Sequence, residues 1–262
     1  MYLINSHKQS SHQAPHQNIL FDTLLIEEAN KKNKMKNKIY NYLNKPYAVV
    51  FIMLIAPLFG FIDRNVTFFF GLGVAFLILR GSDFDWGRFG IGRKITGKTV
   101  LKSLIITLVL FIVFHAFVDT LLQNWLGEYN LSSVEDVEGN LVGYVILMVI
   151  IWIFAAFGEE FLFRGYYMKA LAELLGNNNK DWILSAIITS LYFGISHIYQ
   201  GLSGAVAVFL WSLTISLIFN KNRNNLVLLI LIHGFYDSIG ITMIFLNSDF
   251  GISEWALNLL TK

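Results

Sequence analysis

Gly158-Glu159-Glu160-Phe161-Leu162-Phe163-Arg164-Gly165 follows directly on the apolar run Leu141 to Phe157. Two adjacent carboxylates and a guanidinium in or beside a membrane helix are costly. A charged side chain near mid-bilayer costs roughly 2.5–3.5 kcal/mol. A segment that served only as an anchor would not keep three of them, so the stretch reads as a functional site. Helical geometry sorts the three. Glu160 and Arg164 are four residues apart, share a face and can pair. Glu159 points roughly 100° away from Glu160. Pairing would hold Glu160 ionised and structural and leave Glu159 for a different partner. One bonded carboxylate and one available carboxylate is what acid–base chemistry needs.

The rest of the composition agrees with a membrane setting. The chain has 262 residues, 55% hydrophobic and 15% charged, against about 25% charged in ordinary soluble domains. Its mean hydropathy is +0.55. Phenylalanine (23) and tryptophan (6) are abundant and proline (3) is scarce. The expected fold is all-α, a polytopic bundle of transmembrane helices. The absence of cysteine excludes disulfides, thiolate nucleophiles and Cys-ligated zinc. It leaves the redox compartment open. Membrane lipid is the expected surrounding, and no nucleic-acid partner is expected.

Residues 1–45 read as a polar, basic N-terminal tail. It carries His7, His12 and His16, then Lys31, Lys32, Lys34, Lys36, Lys38 and Lys45. No short apolar stretch precedes a small-residue cleavage site, so no signal peptide is read. The three histidines read as a weakly patterned tail rather than a metal site. Leu20–Ala29 can form a short helix. Residues 46–262 read as a membrane-embedded domain. Its apolar runs are Tyr47–Ile62, Val66–Leu79, Val100–Leu122, Leu141–Phe157 (extending toward Tyr167), Trp182–Ile198, Leu202–Phe219 and Leu226–Leu246. Several approach the ~20 residues needed to span, which gives about seven spans. The first two are short and could form one re-entrant pair. Trp255–Leu260 reads as a short interfacial end.

Charge placement orients these runs. The tail is lysine-rich, and Arg80, Arg88, Arg93, Lys94, Lys98 and Lys102 fall in one connecting segment. The loop Gln123–Asn140 has Glu128, Glu135, Asp136 and Glu138 without Lys or Arg. By the positive-inside rule the N-terminus is cytoplasmic and the acidic loop lies on the other side of the cell membrane.

Two more polar clusters interrupt apolar runs, Phe193-Gly194-Ile195-Ser196-His197 and His233-Gly234-Phe235-Tyr236-Asp237. Glu159 and His197 flank the turn Gly176–Lys180 with 17 residues on each arm. Two equal antiparallel arms bring them to one level, ~25 Å from the turn. There a glutamate and a histidine can share a water and deprotonate it. His233 and Asp237 are four apart on one helix. Asp237 either fixes the His233 ring or joins it in facing a reacting oxygen. By residue count His233 lies nearer its own turn, Asn220–Asn225, by roughly 13 Å of rise, which strains the reading.

Each residue also has a plainer reading. A lone histidine in an apolar helix is usually a hydrogen-bonded packing residue, and His115 is taken as one. Phe193 reads as packing and Arg164 as the partner of Glu160. Tyr166, Tyr167, Trp152 and Trp211 read as belt or packing residues. Six ionisable residues in three separate spans favour one shared site over scattered pairs. There is no H-E-x-x-H and no G-x-S-x-G. Gly201-Leu202-Ser203-Gly204 is similar to the short serine motif of rhomboid intramembrane proteases, with His233 as its base. That alternative leaves Glu159, Glu160 and Arg164 without a role. Two further readings are a non-catalytic immunity or scaffold protein and, ranked last, an ion-coupled transporter.

The three clusters in order resemble the CPBP family, the CAAX prenyl protease type 2 and bacteriocin-processing proteins also called the Abi family. The pattern E-E-x-x-x-R stands here as Glu159-Glu160 with Arg164. F-x-x-x-H stands as Phe193 with His197, and H-x-x-x-N or D as His233 with Asp237. The resemblance covers about residues 140–246. It implies an intramembrane peptidase in which Glu159 and His197 activate a water while His233 and Asp237 sit at the oxyanion. It implies a peptide or lipidated-protein substrate. Eukaryotic members remove the last three residues of prenylated C-a-a-X proteins, and many bacterial members are linked to bacteriocin self-immunity or peptide maturation. Where some members have Asn, this chain has Asp237. An ionised carboxylate cannot donate to an oxyanion, so Asp237 is protonated, orients His233, or binds a metal. A zinc ion on Glu159, His197 and His233 is the alternative to metal-free base catalysis by Glu159, which is favoured. No cofactor is then required.

Overall fold

In the computed structural model the described residues are 25–28, 31, 34–35 and 38–260. His7, His12, His16 and most of Leu20–Ala29 lie outside them, and 25–28 are helical. Among the described residues the chain is helical throughout, apart from turns and one isolated antiparallel bridge between Ile91 and Asn225. This is the all-α membrane bundle expected from composition.

Local chemistry sets the helix starts. Helix α1 (Pro46–Ile55) opens on a proline, whose missing N–H costs nothing in the first turn. Helix α2 (Arg64–Gly81) is capped by Asp63, which accepts from the Asn65 amide at 2.7 Å. Helix α3 (Gly97–Leu126) is capped by Thr96. Helix α4 (Leu141–Leu175) is capped by Asn140. Helix α5 (Asn179–Ser196) begins with a capping box between Asn178 and Asp181. Helices α6 (Gly201–Lys221), α7 (Leu226–Leu246) and α8 (Ile252–Leu260) complete the described chain. Within α4, Ile151–Met168 has the wider π-type turns, a feature found often at functional sites.

All seven apolar runs form helices, but they are unequal. Four segments are long and apolar enough to cross a membrane: α3, α4, Ile198–Lys221 and α7. Pro46–Phe61 and Asn65–Gly81 are shorter, and α5 opens on Asn179-Lys180-Asp181. The acidic loop after α3 packs inward. Asn130 N–H donates to Gln200 O at 2.9 Å, and Gly139 N–H donates to Phe245 O at 3.0 Å.

The placement of α7 resolves the 13 Å strain in the sequence reading. The end of α6 stays level with the start of α5: Asn220 and Arg223 donate to Asn179, and Arg223 lies over Trp182 at 4.2 Å. The next residues then turn into the bundle. Leu226 N–H donates to Gly90 O at 2.9 Å, and Ile91 bridges Asn225. Phe89 is buried, its ring 4.7 Å from Phe161 of α4. All of this meets α4 at Gly165, where a Cβ would lie 3.0 Å from Phe89 O and 3.1 Å from Leu226 Cδ2. So α7 starts beside Gly165, 11 residues or roughly 16 Å of rise inside Gly176. Equal arms measured from the two turns were the wrong gauge, because the second turn is drawn into the bundle.

Gly90 carries this junction at φ +83°, and a Cβ there would lie 2.9 Å from Arg223 O. Gly90→Val should lower stability by about 1–3 kcal/mol, from left-handed strain and the clash together. Gly92→Ala adds only a contact at ordinary distance and should not. Thermal unfolding in detergent checks the pair.

Candidate functional site

The site is built around a buried guanidinium. Arg164 is 1% exposed and Glu160 is 0% exposed. Arg164 Nη1 donates to Glu160 Oε1 at 2.9 Å, the pairing the four-residue spacing predicts. Nε donates to Ser216 Oγ at 3.1 Å, while Nη2 donates to Ser212 Oγ at 2.7 Å and Ser212 O at 3.0 Å. Phe193 packs on the guanidinium at 5.3 Å. Guanidinium donors are costly to leave bare in an apolar bundle, and α6 supplies three acceptor atoms alongside Glu160.

Glu160 Oε1 also meets His233 Nδ1 at 2.8 Å. The other nitrogen, Nε2, lies 3.3 Å from Asp237 Oδ2 and 3.9 Å from Glu159 Oε2. An ionised carboxylate only accepts, so Nδ1 donates to Glu160, while Nε2 faces Asp237 and Glu159. Of the three roles open to Asp237, this geometry fits the one that orients His233. Glu159 and Asp237 keep 20% and 27% of their side chains exposed, against 0% for Glu160. The division into a bonded and an available carboxylate is therefore present in the structure.

His197 caps α5, and its Nδ1 lies 2.8 Å from Phe193 O. A carbonyl oxygen only accepts, so Nδ1 of His197 donates to it. Glu159, His197, His233 and Asp237 all line one cavity of about 530 Å³. Phe193 reaches its wall, while Glu160 and Arg164 stand behind it. The cavity is closed on one side by the acidic loop, through Tyr129 and Asn130.

One alternative site reading fails on placement. Ser203 is 0% exposed and is not part of the cavity wall. Its Oγ has no hydrogen-bond partner among the described residues, so the pairing with His233 is not formed. Among the described residues no three His, Cys, Asp or Glu side chains are grouped as a metal site, and Nδ1 of His233 is bonded to Glu160.

The sequence reading missed several residues. Ser212 and Ser216, four apart in α6, gave the same facing-pair signal as Glu160 and Arg164. His115, taken as structural, lines the cavity together with Asp119, four residues on in α3. Their spacing repeats that of His233 and Asp237. The aromatic residues are placed as expected for packing: Tyr166, Tyr167 and Trp211 are buried, and Trp152 donates to Ser238 Oγ at 3.1 Å.

With this geometry in hand, comparison with known proteins is informative. Residues 140–239 match the family described as type II CAAX prenyl endopeptidase Rce1-like. That stretch of the chain is similar to the Rce1-like family. The chain is a membrane-embedded peptidase, a hydrolase of CAAX-protease type at the level of the family. No curated protein and no solved structure matches the chain. The Rce1-like match takes in α4, α5, α6 and most of α7, the helices that carry every residue of the polar cluster around Arg164.

Removing one partner of a buried ion pair strands the other. Arg164→Met should cost about 3–5 kcal/mol. Ser212→Ala should cost about 1–3 kcal/mol, since one guanidinium N–H loses its side-chain acceptor. Denaturation in mixed micelles measures both, and equal stability of wild type and Arg164→Met would contradict the anchoring role.

Proposed function

We propose that the chain is an intramembrane endopeptidase that cleaves a membrane-associated peptide or protein, with a water activated by Glu159 and His197. The observation that carries this reading is the shared cavity, which joins Glu159, His197, His233 and Asp237 from three helices. A water held between Glu159 and Nε2 of His197 loses a proton to this pair as its oxygen attacks the carbonyl carbon. The developing oxyanion accepts from Nε2–H of His233. Asp237 holds that N–H before substrate arrives, and Glu160 with Arg164 fixes the opposite side of the ring. Collapse of the tetrahedral adduct breaks the C–N bond, and the proton returns to the departing amine. No step is routed through a metal. Processing of a lipidated protein C-terminus and maturation or self-immunity toward a bacteriocin are the two substrate settings this chemistry suits. Under this proposal the N-terminus is cytoplasmic, a reading the basic segments support.

Purified protein in liposomes with a fluorogenic membrane peptide tests the reading. Glu159→Ala and His197→Ala should each lower kcat by about 10²-fold or more, with the fold retained. Full activity in both would end the proposal and leave a binding or scaffold role. The rate should be insensitive to a chelator. Loss in chelator that zinc restores would replace the metal-free route.

A further inference from the structure

Helix α3 carries a carboxylate that has no part in activating water. Asp119 is 9% exposed and lies seven residues, or roughly 10 Å of rise, inside the end of α3 at Leu126. A carboxylate at that depth is costly and marks a functional position by default. Tyr129 O–H donates to its Oδ1 at 2.7 Å. Its Oδ2 lies 3.8 Å from His115 Nδ1, beyond hydrogen-bond length. Tyr129 itself comes from the acidic loop, whose fold is pinned by the Asn130 to Gln200 backbone bond and by Tyr129 N–H donating to Gln123 Oε1 at 3.4 Å.

This group belongs to the same cavity as Glu159 and His233. His115, Asp119, Gln123 and Tyr129 form one part of the wall. Tyr236, stacked on Trp211 at 4.1 Å, lies within electrostatic reach of both Asp119 and Asp237 and so links the two parts. The lining holds three histidines, His115, His197 and His233, of which His115 is the one beside Asp119. Asp119, Glu159 and Asp237 are its acidic members, and no Lys or Arg is among the described lining residues. The covering loop adds Glu128, Glu135, Asp136 and Glu138. A carboxylate in a substrate would be repelled at this end of the cavity. An ammonium or guanidinium would find Asp119 oriented by Tyr129, with His115 beyond hydrogen-bond length of its Oδ2.

We infer that Asp119, held by Tyr129, forms a specificity subsite that takes a lysine or arginine side chain of the peptide substrate and so sets which bond reaches Glu159 and His197. The inference rests on the peptidase reading for its consequence, though not for the binding itself. The test uses the full chain and otherwise identical membrane peptides with Lys, Gln or Glu at each position flanking the cleavage site. Wild type should favour Lys over Gln at one position by about tenfold in kcat/KM, with Glu the poorest. Asp119→Asn should bring the Lys-to-Gln ratio toward one. Tyr129→Phe should move it the same way and serves if Asp119→Asn does not fold. A wild type with no Lys preference at any position, or an unchanged ratio in both variants, overturns the subsite. Binding of the same peptides to Glu159→Gln protein separates the two readings. Preferred binding of the Lys peptide without any cleavage by wild type would keep the subsite and remove the peptidase.

Discussion

A guanidinium inside an apolar bundle cannot shed its charge, so every N–H of Arg164 must find an acceptor. The consequences spread through the bundle. Glu160 provides the countercharge from the same helix, and Ser212 and Ser216 bring α6 alongside. Glu160 then uses the same oxygen to hold His233 of α7. Phe193 of α5 packs on the guanidinium and offers its carbonyl to His197. One buried cation thereby sets the register of four helices and fixes both imidazole rings. Such a cluster is weak as a source of net stability. Its value lies in the fact that few other arrangements of these helices would satisfy it.

Close helix contact makes that arrangement reachable. A Cβ at Gly234 would lie 2.6 Å from the Trp152 ring, and one at Gly194 would lie 2.8 Å from Ala205 O. These positions let α7 approach α4, and α5 approach α6, to within a side-chain length, the usual work of small residues in membrane bundles. Gly90 and Gly165 do the same where the chain turns inward ahead of α7. The inward turn matters most for chemistry. It moves His233 deep enough to meet Glu160, a position that a helix starting level with Gly176 would not reach.

How much of this could be read from the sequence depended on the range of each interaction. Glu160 with Arg164 is local, four residues apart, and spacing alone predicts the contact. The level of Glu159 and His197 follows from one turn and two helical arms, and both side chains line the cavity. His233 was harder, because its depth depends on how Asn225 and Leu226 bond to Ile91 and Gly90, more than 130 residues earlier in the chain. No helical count carries that information. Asp119 failed for a different reason. It was visible as an ionisable residue four after His115, but its meaning came only when the loop brought Tyr129 to it. The fold class came through in full, since composition and run length speak to it directly. The number of true crossings did not, because the first two runs and α5 sit near the length limit.

The distribution of charge gives the proposed chemistry its direction. Around His233 stand three carboxylates, Glu159, Glu160 and Asp237. Glu160 is sealed from solvent and bonded to both Arg164 and His233. Glu159 and Asp237 open onto the cavity. Asp237 lies 3.3 Å from the imidazole, whereas Glu159 stands 3.9 Å from it, outside hydrogen-bond length. The least committed carboxylate is therefore Glu159, the one proposed as the base, and it shares its cavity with His197. The buried pair behind it, Glu160 with Arg164, is engaged in holding the ring that faces the same space.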